Sequence, residues 1–422
     1  MDNRKMLKNK FSRACFIAVL FLWQLLCFGK CEEPRILHYH LGYTRACGGI
    51  DHYIITLCKL LQEKGYFVCI ATNESTIFKK QLVEKSGILY YKVPKYNVKS
   101  PHSVKKLKHD LIRICKFHKI NIINCHRENL CNVISNVAKK LGIKSVYFDH
   151  HYRYLSSTGN TEKCDRHFKQ LSAFFGSCKE NVEFMTQENN AHHLGIEKVL
   201  KFTPFSDLRR ISRFLPPIES KHLFFLKNFL IDIDDYVPAI AMIANMSPNK
   251  NHLLLFDAVH KLIYRDKIPI QVLLAGDGNA YRDTLEQQVK KMNLEKFVFF
   301  LGYTNLVPEI MHYSDVLVLV SFKESCGLVI FEAALSRLPV ILSKTTEVAG
   351  SLICHEKTGL LVDPNNSEDL VKQLKRIIFD KILRETIIKN AHDLTLTEYM
   401  PEKLIEPVEK CYIEMASMTK IK

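Results

Sequence analysis

The sequence of 422 residues lacks the short motifs that mark metal-binding and repeat proteins. No Cys-x-x-Cys pair occurs, which excludes zinc-ribbon spacing, and no His-Glu-x-x-His motif supports a metal site. Low-complexity blocks and internal repeats are also absent, so the chain is neither disordered nor repetitive. Its 14 cysteines stand singly, several of them within apolar helix or strand patterns. We therefore expect buried free thiols and a reducing compartment.

Length and charge favour a globular protein with an acidic partner. Apolar residues make up 47% of the chain, and its length favours two domains, each able to bury its own core. The net charge of +16 points to nucleic acid, an anionic membrane or a phosphorylated ligand, or to a solvated lysine-rich surface. Nucleic acid is not a predicted partner, because no aromatic-rich basic platform or known binding motif occurs.

Residues 1–31 carry a targeting signature. Five basic residues precede position 14, and residues 14–28 are apolar except for Gln24. This order is typical of a secretory signal peptide, and Cys27-Phe28-Gly29 allows cleavage. The same run can serve as an uncleaved signal anchor, and lipidation at Cys31 is a weaker third option. Cleavage predicts a secreted protein, whereas an anchor predicts a membrane-associated protein whose folded domains are cytoplasmic.

Apolar strands alternate with helical patterns along both halves of the chain. The first half predicts strands at residues 36–40, 67–71, 87–93, 120–125 and 145–149. The second half predicts strands at residues 239–243, 270–275, 297–301, 316–320, 340–342 and 360–362. Such alternation is typical of doubly wound parallel sheets. We expect an α/β protein with domains at residues 34–210 and 238–390, a connector at 211–237 and a helical tail at 391–422.

The most informative stretch is residues 324–339, which read ESCGLVIFEAALSRLP. Glu324 and Glu332 stand eight positions apart, between two predicted strands. The pattern places Glu324 in the loop after the first strand and Glu332 about two turns into the following helix. Free amides at the start of such a helix attract phosphate, whereas carboxylates suit sugar and ribose hydroxyls. The stretch therefore predicts a site for a sugar nucleotide.

Four patterns in a fixed order resemble the GT-B glycosyltransferases of family 4. They are the run Ala275-Gly-Asp-Gly278, the run Phe300-Leu-Gly-Tyr303, the spacing of Glu324 and Glu332, and the run Thr358-Gly-Leu-Leu-Val362. The resemblance spans about residues 34–390. It implies two Rossmann-like domains facing each other across a cleft. It also implies retaining, metal-independent transfer of a sugar from a UDP- or GDP-linked donor to a glycan or lipid-linked acceptor, without a further cofactor.

The resemblance also implies roles for individual residues. Glu324 would hold hydroxyls of the donor sugar, Glu332 would hold the ribose hydroxyls, and Lys250 would offset charge on the departing diphosphate. Front-face attack needs no nucleophilic carboxylate, so Glu324 is not assigned as one. His150 matches the family's histidine near the reacting centre, and the next residue, His151, is the alternative match for that position. Further donor contacts are implied for Gly48, Gly49, Gly276, Gly278, Ser325, Cys326, Gly327 and Leu328.

The chain departs from the family pattern at several positions. Asn245 stands where an arginine is usual, so one phosphate contact is either missing or supplied by another residue. The glycine-rich turn and the glutamate before Thr358 are absent, and residues 203–207 replace an Asn-Gly turn. These departures keep an alternative function open: a degenerate secreted or membrane-attached protein that binds sugars or nucleotides without transferring them. A cleaved signal would favour this alternative, because nucleotide sugars are scarce outside the cytosol.

Three other features have both a structural and a functional interpretation. A metal site is suggested by His150 and His151 together with Asp149, and His126, His38 and His40 are added candidates, although strand-end histidines are often only hydrogen-bonded. The run Asp232-Ile-Asp234 mimics a metal motif of another glycosyltransferase fold, and we interpret it as a solvated turn. Residues 99–119 form a basic amphipathic helix, which can lie on an anionic membrane or simply cover the first domain.

Overall fold

The computed structural model describes residues 33–40, 49–73, 83–93, 97, 100–150, 167–324, 327–346 and 351–419. The predicted targeting segment lies outside these ranges, as do Gly48, His151, Ser325 and Cys326. The predictions made for these positions stay predictions. Within the described ranges, we find no helix whose length and apolarity would let it cross a bilayer.

The described residues of the first half form a parallel sheet of seven strands. In chain order these are Arg35–Tyr39 (β1), Phe67–Thr72 (β2), Leu89–Lys92 (β3), Ile122–Cys125 (β4), Lys144–Asp149 (β5), Ala173–Gly176 (β6) and Lys198–Lys201 (β7). Their spatial order is β3-β2-β1-β4-β5-β6-β7. The order reverses between β1 and β4, where Leu37 pairs with Ile123. A ligand crevice is expected at the carboxyl ends of these two strands.

The described residues of the second half repeat the same design with six parallel strands. These are Ala239–Ile243 (β8), Gln271–Ala275 (β9), Val298–Gly302 (β10), Val316–Leu319 (β11), Val340–Ser343 (β12) and Leu360–Val362 (β13). Their spatial order is β10-β9-β8-β11-β12-β13, so the reversal falls between β8 and β11. All five residues of β9 are buried, as expected for a parallel strand covered on both faces.

Helices connect the strands and cover both faces of each sheet. Those of the first half are Gly49–Glu63 (α1), Pro101–Phe117 (α2), Cys131–Leu141 (α3) and Lys179–His192 (α4). Between the sheets lie Arg209–Ser212 (α5) and Lys221–Phe229 (α6). The second half adds His252–His260 (α7), Asn279–Lys291 (α8), Val307–His312 (α9), Leu328–Leu335 (α10), Ser367–Phe379 (α11) and Lys381–Glu398 (α12), and the chain continues with Pro401–Leu404 (α13) and Glu406–Ser417 (α14).

The two-sheet architecture confirms the predicted fold class, while two short strands were not predicted. These are β6 and β7, which have four residues each. The segment predicted as a connector is not merely a spacer, because residues of α5 and α6 lie in the core of the second sheet. That core includes Leu208, Ile211, Phe224, Phe225 and Ile233.

The end of the chain returns to the first sheet. Within the region predicted as a helical tail, α12 still packs on the second core through Ala391, whereas α14 packs on the first. Val408, Tyr412 and Met415 of α14 are buried in the same cluster as Phe148 of β5. Lys64 Nζ also lies 2.7 Å from Glu409 Oε2. The C-terminal helix is therefore part of the N-terminal domain in space.

The basic helix predicted at residues 99–119 corresponds to α2, and its apolar side is not available to a membrane. Leu107, Leu111 and Ile114 are buried in the core of the first sheet, and Val104 packs against that core. An in-plane insertion of this helix would require the core to open. The basic side, which includes Lys105, Lys106, Arg113 and Lys116, is exposed.

Candidate active site

A cleft of about 400 Å³ opens between the carboxyl ends of the two sheets. Its walls come from both halves of the chain, because the topological reversal of each sheet faces it. The first half contributes Gly49, His52, Tyr53 and His150, and α5 contributes Arg210. The second half contributes Asn245, Lys250, Gly276, Glu324, Gly327, Leu328 and Glu332, among others. The cleft therefore brings most of the described site residues together.

Two helix N-termini meet across this cleft. Gly49 begins α1, and a Cβ at Gly49 would lie 3.4 Å from Leu328 Cδ1 at the start of α10. Gly327 precedes α10 with a φ of +60°, a backbone conformation that favours glycine, and a Cβ there would lie 2.9 Å from Ile330 Cδ1. The first amides of a helix have no partner within the helix, and each helix N-terminus is the positive end of a dipole. An anionic group such as a diphosphate fits the space between the two N-termini.

Both predicted glutamates are paired with cations in the cleft. Glu324 Oε2 contacts Lys250 Nζ, and Glu332 Oε1 lies 2.7 Å from Arg210 Nη2. Glu332 lies about one turn into α10, rather than the two turns predicted, and is buried. The arrangement places two carboxylates and two cations around one cavity. Each carboxylate can exchange its cation for a hydroxyl of a ligand.

Arg210 is a site residue that the sequence analysis did not identify. It belongs to the short helix α5, outside every recognised pattern, and reaches the cleft because α5 packs against the second core. Its charge acts on a neighbouring imidazole. Burial lowers the pKa of His52, and the Arg210 guanidinium lowers it further, while Glu332 and Asp51 oppose the shift.

Asn249 ties the loop of Lys250 to the loop of Glu324. Lys250 ends a single 3-10 turn, and the preceding residue, Asn249, makes three cross-loop hydrogen bonds. Its Nδ2 donates to the carbonyl of Lys323 over 2.8 Å, and its Oδ1 accepts from the Lys323 amide over 3.1 Å. The Phe322 amide donates to the Asn249 carbonyl over 2.9 Å. The separation of Lys250 and Glu324 is therefore set by Asn249, which sequence reasoning also missed.

The two predicted glycines of the second domain have different positions. Gly276 lines the cleft with a φ of +150°, and a Cβ there would lie 2.0 Å from the carbonyl oxygen of Ala244. Only glycine allows this close approach of the loops after β8 and β9. Gly278 precedes α8 and is not among the residues that line the cleft. A Cβ at Gly278 would lie 2.5 Å from Arg282 Cβ, so packing explains this glycine.

The predicted histidines come together at the carboxyl ends of β1, β4 and β5. His150 lines the cleft, and its Nε2 lies 3.1 Å from His126 Nδ1. His126 Nε2 lies 3.0 Å from His38 Nδ1, and His40 Nε2 lies 2.7 Å from Asp51 Oδ1. These distances are those of hydrogen bonds. No group of three or more His, Cys, Asp or Glu residues in the described ranges has an arrangement that could hold a metal ion.

The structure also describes the acidic run at residues 232–234, Asn245 and eight of the cysteines. Asp232 is 88% exposed, and Asp234 Oδ1 accepts a hydrogen bond from the Tyr236 amide over 2.8 Å, as in a solvated turn. Asn245, at the position of the expected arginine, lines the cleft. Eight cysteines in the described part of the chain are free, and seven of these are buried.

The chain is similar in sequence to known glycosyltransferases. Residues 230–394 match the family model described as "Glycosyl transferases group 1". A galactosyltransferase of Escherichia coli that uses UDP-Gal and an alpha-D-GlcNAc-diphosphoundecaprenol acceptor is 23% identical over 92% of this chain and 99% of its own length. An N-acetyl-D-galactosaminyltransferase of Campylobacter jejuni with an undecaprenol-diphosphate-linked acceptor is 24% identical over 66% of this chain and 86% of its own length.

Solved structures show the same fold. HepE of Anabaena, solved in complex with UDP and glucose, superposes with a TM-score of 0.74 at 19% identity, covering 90% of this chain and 99% of its own. Sucrose-phosphate synthase of Thermosynechococcus elongatus superposes with a TM-score of 0.72 at 16% identity, covering 92% and 100%. Residues 230–394 are thus a glycosyl transferases group 1 domain, and the chain has the fold of the GT-B glycosyltransferases.

Proposed function

We propose that the protein transfers a sugar from a UDP-linked donor to a lipid-diphosphate-linked glycan, with retention at the anomeric carbon. The observation that carries this proposal is the pairing of two carboxylates with two cations beside two opposed helix N-termini in one cleft. Hydroxyl-rich and diphosphate-bearing parts of a nucleotide sugar need these two kinds of group side by side. A protein that binds only free sugars would not need the cations.

Donor binding exchanges the partners of both ion pairs. The ribose hydroxyls displace Arg210 from Glu332, and hydroxyls of the sugar displace Lys250 from Glu324. The released cations then face the diphosphate, together with the amides at the start of α10. Arg210 thereby supplies the cation that Asn245 lacks. Each displaced cation gains a phosphate partner, and each carboxylate gains hydrogen bonds from hydroxyls in place of its cation.

The transfer step uses the same groups. As the glycosyl–phosphate bond breaks, negative charge grows on the departing diphosphate, where Lys250 and the helix amides stabilise it. The acceptor hydroxyl attacks from the side of the leaving group, and its proton passes to a phosphate oxygen. Glu324 holds the sugar and is not a nucleophile. The chain itself provides the positive charge at the leaving group, so we propose that no metal ion or other cofactor is required.

The relatives support the choice of donor and acceptor. The similar galactosyltransferase uses UDP-Gal, the fold neighbour HepE was solved with UDP, and both relatives described above act on undecaprenol-diphosphate-linked sugars. Both relatives also form alpha linkages, which agrees with retention from an alpha-linked nucleotide sugar.

We place the enzyme at the cytoplasmic face of a membrane, where nucleotide sugars and lipid-linked acceptors meet. The apolar segment at residues 14–28 would then act as an anchor. The exposed basic side of α2 adds electrostatic attraction to anionic lipids without insertion of its buried apolar side. Binding to vesicles with and without anionic lipid tests this surface, and salt should weaken it.

A transfer assay in EDTA tests the proposed function. UDP-, GDP- and ADP-sugars are offered with detergent-solubilised undecaprenyl-diphosphate-GlcNAc, and the product linkage is read by NMR. We expect an alpha-linked product from a UDP-sugar, loss of transfer in Glu332→Ala and unchanged transfer in Glu385→Ala, a control on an exposed helix surface. A folded protein that binds no nucleotide sugar would reject the proposal and favour the non-catalytic alternative.

A further inference from the structure

His52 is a half-buried side chain of the cleft that has no role in the proposed transfer. The helix α1 begins at Gly49, and His52 lies three residues further, about one turn along the same face of the helix. Both residues line the cleft. A Cβ at Gly49 would lie 3.4 Å from Leu328 Cδ1 at the start of α10, so His52 stands beside the gap between the two helix N-termini. An incoming diphosphate is expected in that gap.

The ring of His52 is available to a ligand. Neither ring nitrogen has a hydrogen-bond partner among the described residues. The charged groups that act on the ring are Asp51 of α1, Arg210 of α5 and Glu332 of α10. The last two form the ion pair of the cleft, over 2.7 Å. A ligand that rearranges this pair therefore also changes the charges around His52.

The ring of His52 is neutral at neutral pH while the Arg210–Glu332 pair is formed. Burial lowers the pKa of His52 below its ordinary value of 6.5, and the guanidinium of Arg210 lowers it further, whereas Glu332 and Asp51 raise it. The positive end of the α1 dipole also opposes a positive charge on the ring. An anion that arrives at this place offsets both positive charges, so it favours the protonated ring.

We propose that His52 is a further donor-binding residue, whose ring takes up a proton from solvent when a nucleotide sugar binds and then donates a hydrogen bond to a phosphate oxygen. The diphosphate brings negative charge to the ring, and Arg210 turns from Glu332 towards the same phosphates. The imidazolium becomes a third cation at the diphosphate, with Arg210 and Lys250, and its proton returns to solvent when the product UDP leaves. This role rests on the proposed function, because it requires that a nucleotide sugar binds in this cleft.

Isothermal titration calorimetry in buffers of different ionisation enthalpy measures the protons taken up per ligand bound. The full-length protein is titrated at several pH values with UDP-galactose, UDP-glucose, UDP-N-acetylglucosamine and uridine. UDP itself is unsuitable, because its terminal phosphate titrates with a pKa of about 6, whereas the diphosphate of a UDP-sugar has no such proton. We expect uptake of up to one proton per UDP-sugar and little with uridine, which brings no phosphate. Where uptake is largest, the Kd should rise about tenfold per pH unit.

His52→Asn keeps a polar side chain that cannot gain a proton. We expect this variant to bind the UDP-sugar without proton uptake and about tenfold more weakly than the wild type at the pH of largest uptake, because a charge-assisted hydrogen bond is lost. His193→Asn is the matched control. His193 is exposed at the end of α4 in the same domain, and its left-handed backbone conformation suits asparagine. The control should keep both the uptake and the Kd of the wild type.

The wild type alone can overturn the inference, so the test does not depend on a variant that folds. Binding of a UDP-sugar without proton uptake, or equal uptake with uridine, would reject the role of His52 and leave the proposed function intact. His52→Gln replaces His52→Asn if the latter does not fold. Uptake that persists in the folded variant would assign the proton to another group of the cleft, such as Glu324, Glu332 or His150, and would also reject it.

The same experiments separate this inference from the proposed function. A folded wild type that binds none of the three UDP-sugars would reject the proposed function, and the inference with it. A wild type that binds a UDP-sugar with proton uptake at His52, but transfers no sugar, would reject the proposed transfer alone.

Discussion

Replacement of Arg210 should change the affinities for uridine and for UDP in opposite directions. Arg210 Nη2 lies 2.7 Å from Glu332 Oε1 in the cleft, so the two residues form an ion pair. Uridine uses only the ribose-binding carboxylate, so it must displace Arg210 without offering the guanidinium a phosphate. UDP displaces the same cation but gives it a diphosphate partner. In Arg210→Ala, uridine therefore avoids a cost that it bears in the wild type, while UDP loses a contact.

The magnitudes follow from the exposure of the pair. The Arg210 side chain is 37% exposed, so its ion pair with Glu332 has the strength of a partly screened surface pair, up to about 1 kcal/mol. Uridine should then bind up to about fivefold more tightly in Arg210→Ala. A charge-assisted hydrogen bond to the diphosphate contributes about 1.5–3 kcal/mol. The ion pair with Glu332 no longer has to break in the variant, which returns about 1 kcal/mol, so UDP should lose about 0.5–2 kcal/mol of binding free energy, or roughly two- to thirtyfold in Kd.

Isothermal titration calorimetry of both ligands at one fixed ionic strength measures this difference. Arg213→Ala is the matched control, because Arg213 is exposed and does not line the cleft. It should leave both affinities unchanged. Tighter binding of both ligands to Arg210→Ala would show that Arg210 only competes for Glu332. Weaker binding of both would show that Arg210 holds Glu332 in its binding position. Either result would refute the exchange of partners.

Three further predictions concern the leaving group, the loops and the buried histidines. Lys250→Ala should reduce kcat about 100- to 1,000-fold, because the departing diphosphate loses a stabilising charge. Lys290→Ala is the control, because Lys290 is exposed, and it should leave kcat unchanged. An unchanged kcat in Lys250→Ala would show that Lys250 does not stabilise the leaving group. Asn249→Ala should lower kcat/KM about tenfold, because the loops of Lys250 and Glu324 lose the hydrogen bonds between them. Asn390→Ala is the control: it removes a similar hydrogen bond to the carbonyl of Lys357 and should leave kcat/KM unchanged. The free energy of unfolding should fall as the pH drops from 6.5 towards 3, by up to about 1.4 kcal/mol per pH unit for each buried histidine. The folded pKa of His38 is about 3, below the unfolded value, so the unfolded chain takes up the proton first as the pH falls. His38→Asn should therefore weaken the pH dependence of the unfolding free energy, measured by urea unfolding at several pH values.

Much of the fold could be predicted because each strand carries its own signal. Parallel strands buried on both faces read as continuous apolar runs, and the strand predicted at residues 360–362 has those bounds in the structure. The missed strands lack such a signal. Three of the four residues of β7 are only half-buried, and the four buried residues of β6 are too few to show a period. The return of α14 to the first sheet is a long-range contact that no local pattern encodes.

The site could be predicted where it depends on short spacing within one segment. Glu324, Gly327 and Glu332 belong to one loop and one helix, so their order along the chain carries their arrangement in space. Arg210 lies 122 residues from its partner Glu332 and has no motif around it. His126 contacts His38 and His150, which lie 88 and 24 positions away from it in the sequence, and only the strand order brings the three together. Such groups follow from topology rather than from local sequence.

A crystal structure of the protein with UDP tests the central claim most directly. The account predicts that the ribose hydroxyls contact Glu332, that Arg210 has left Glu332 for the diphosphate, and that Lys250 and the amides at the start of α10 contact the phosphates. UDP bound elsewhere, or bound in the cleft with the Arg210–Glu332 pair intact, would contradict it.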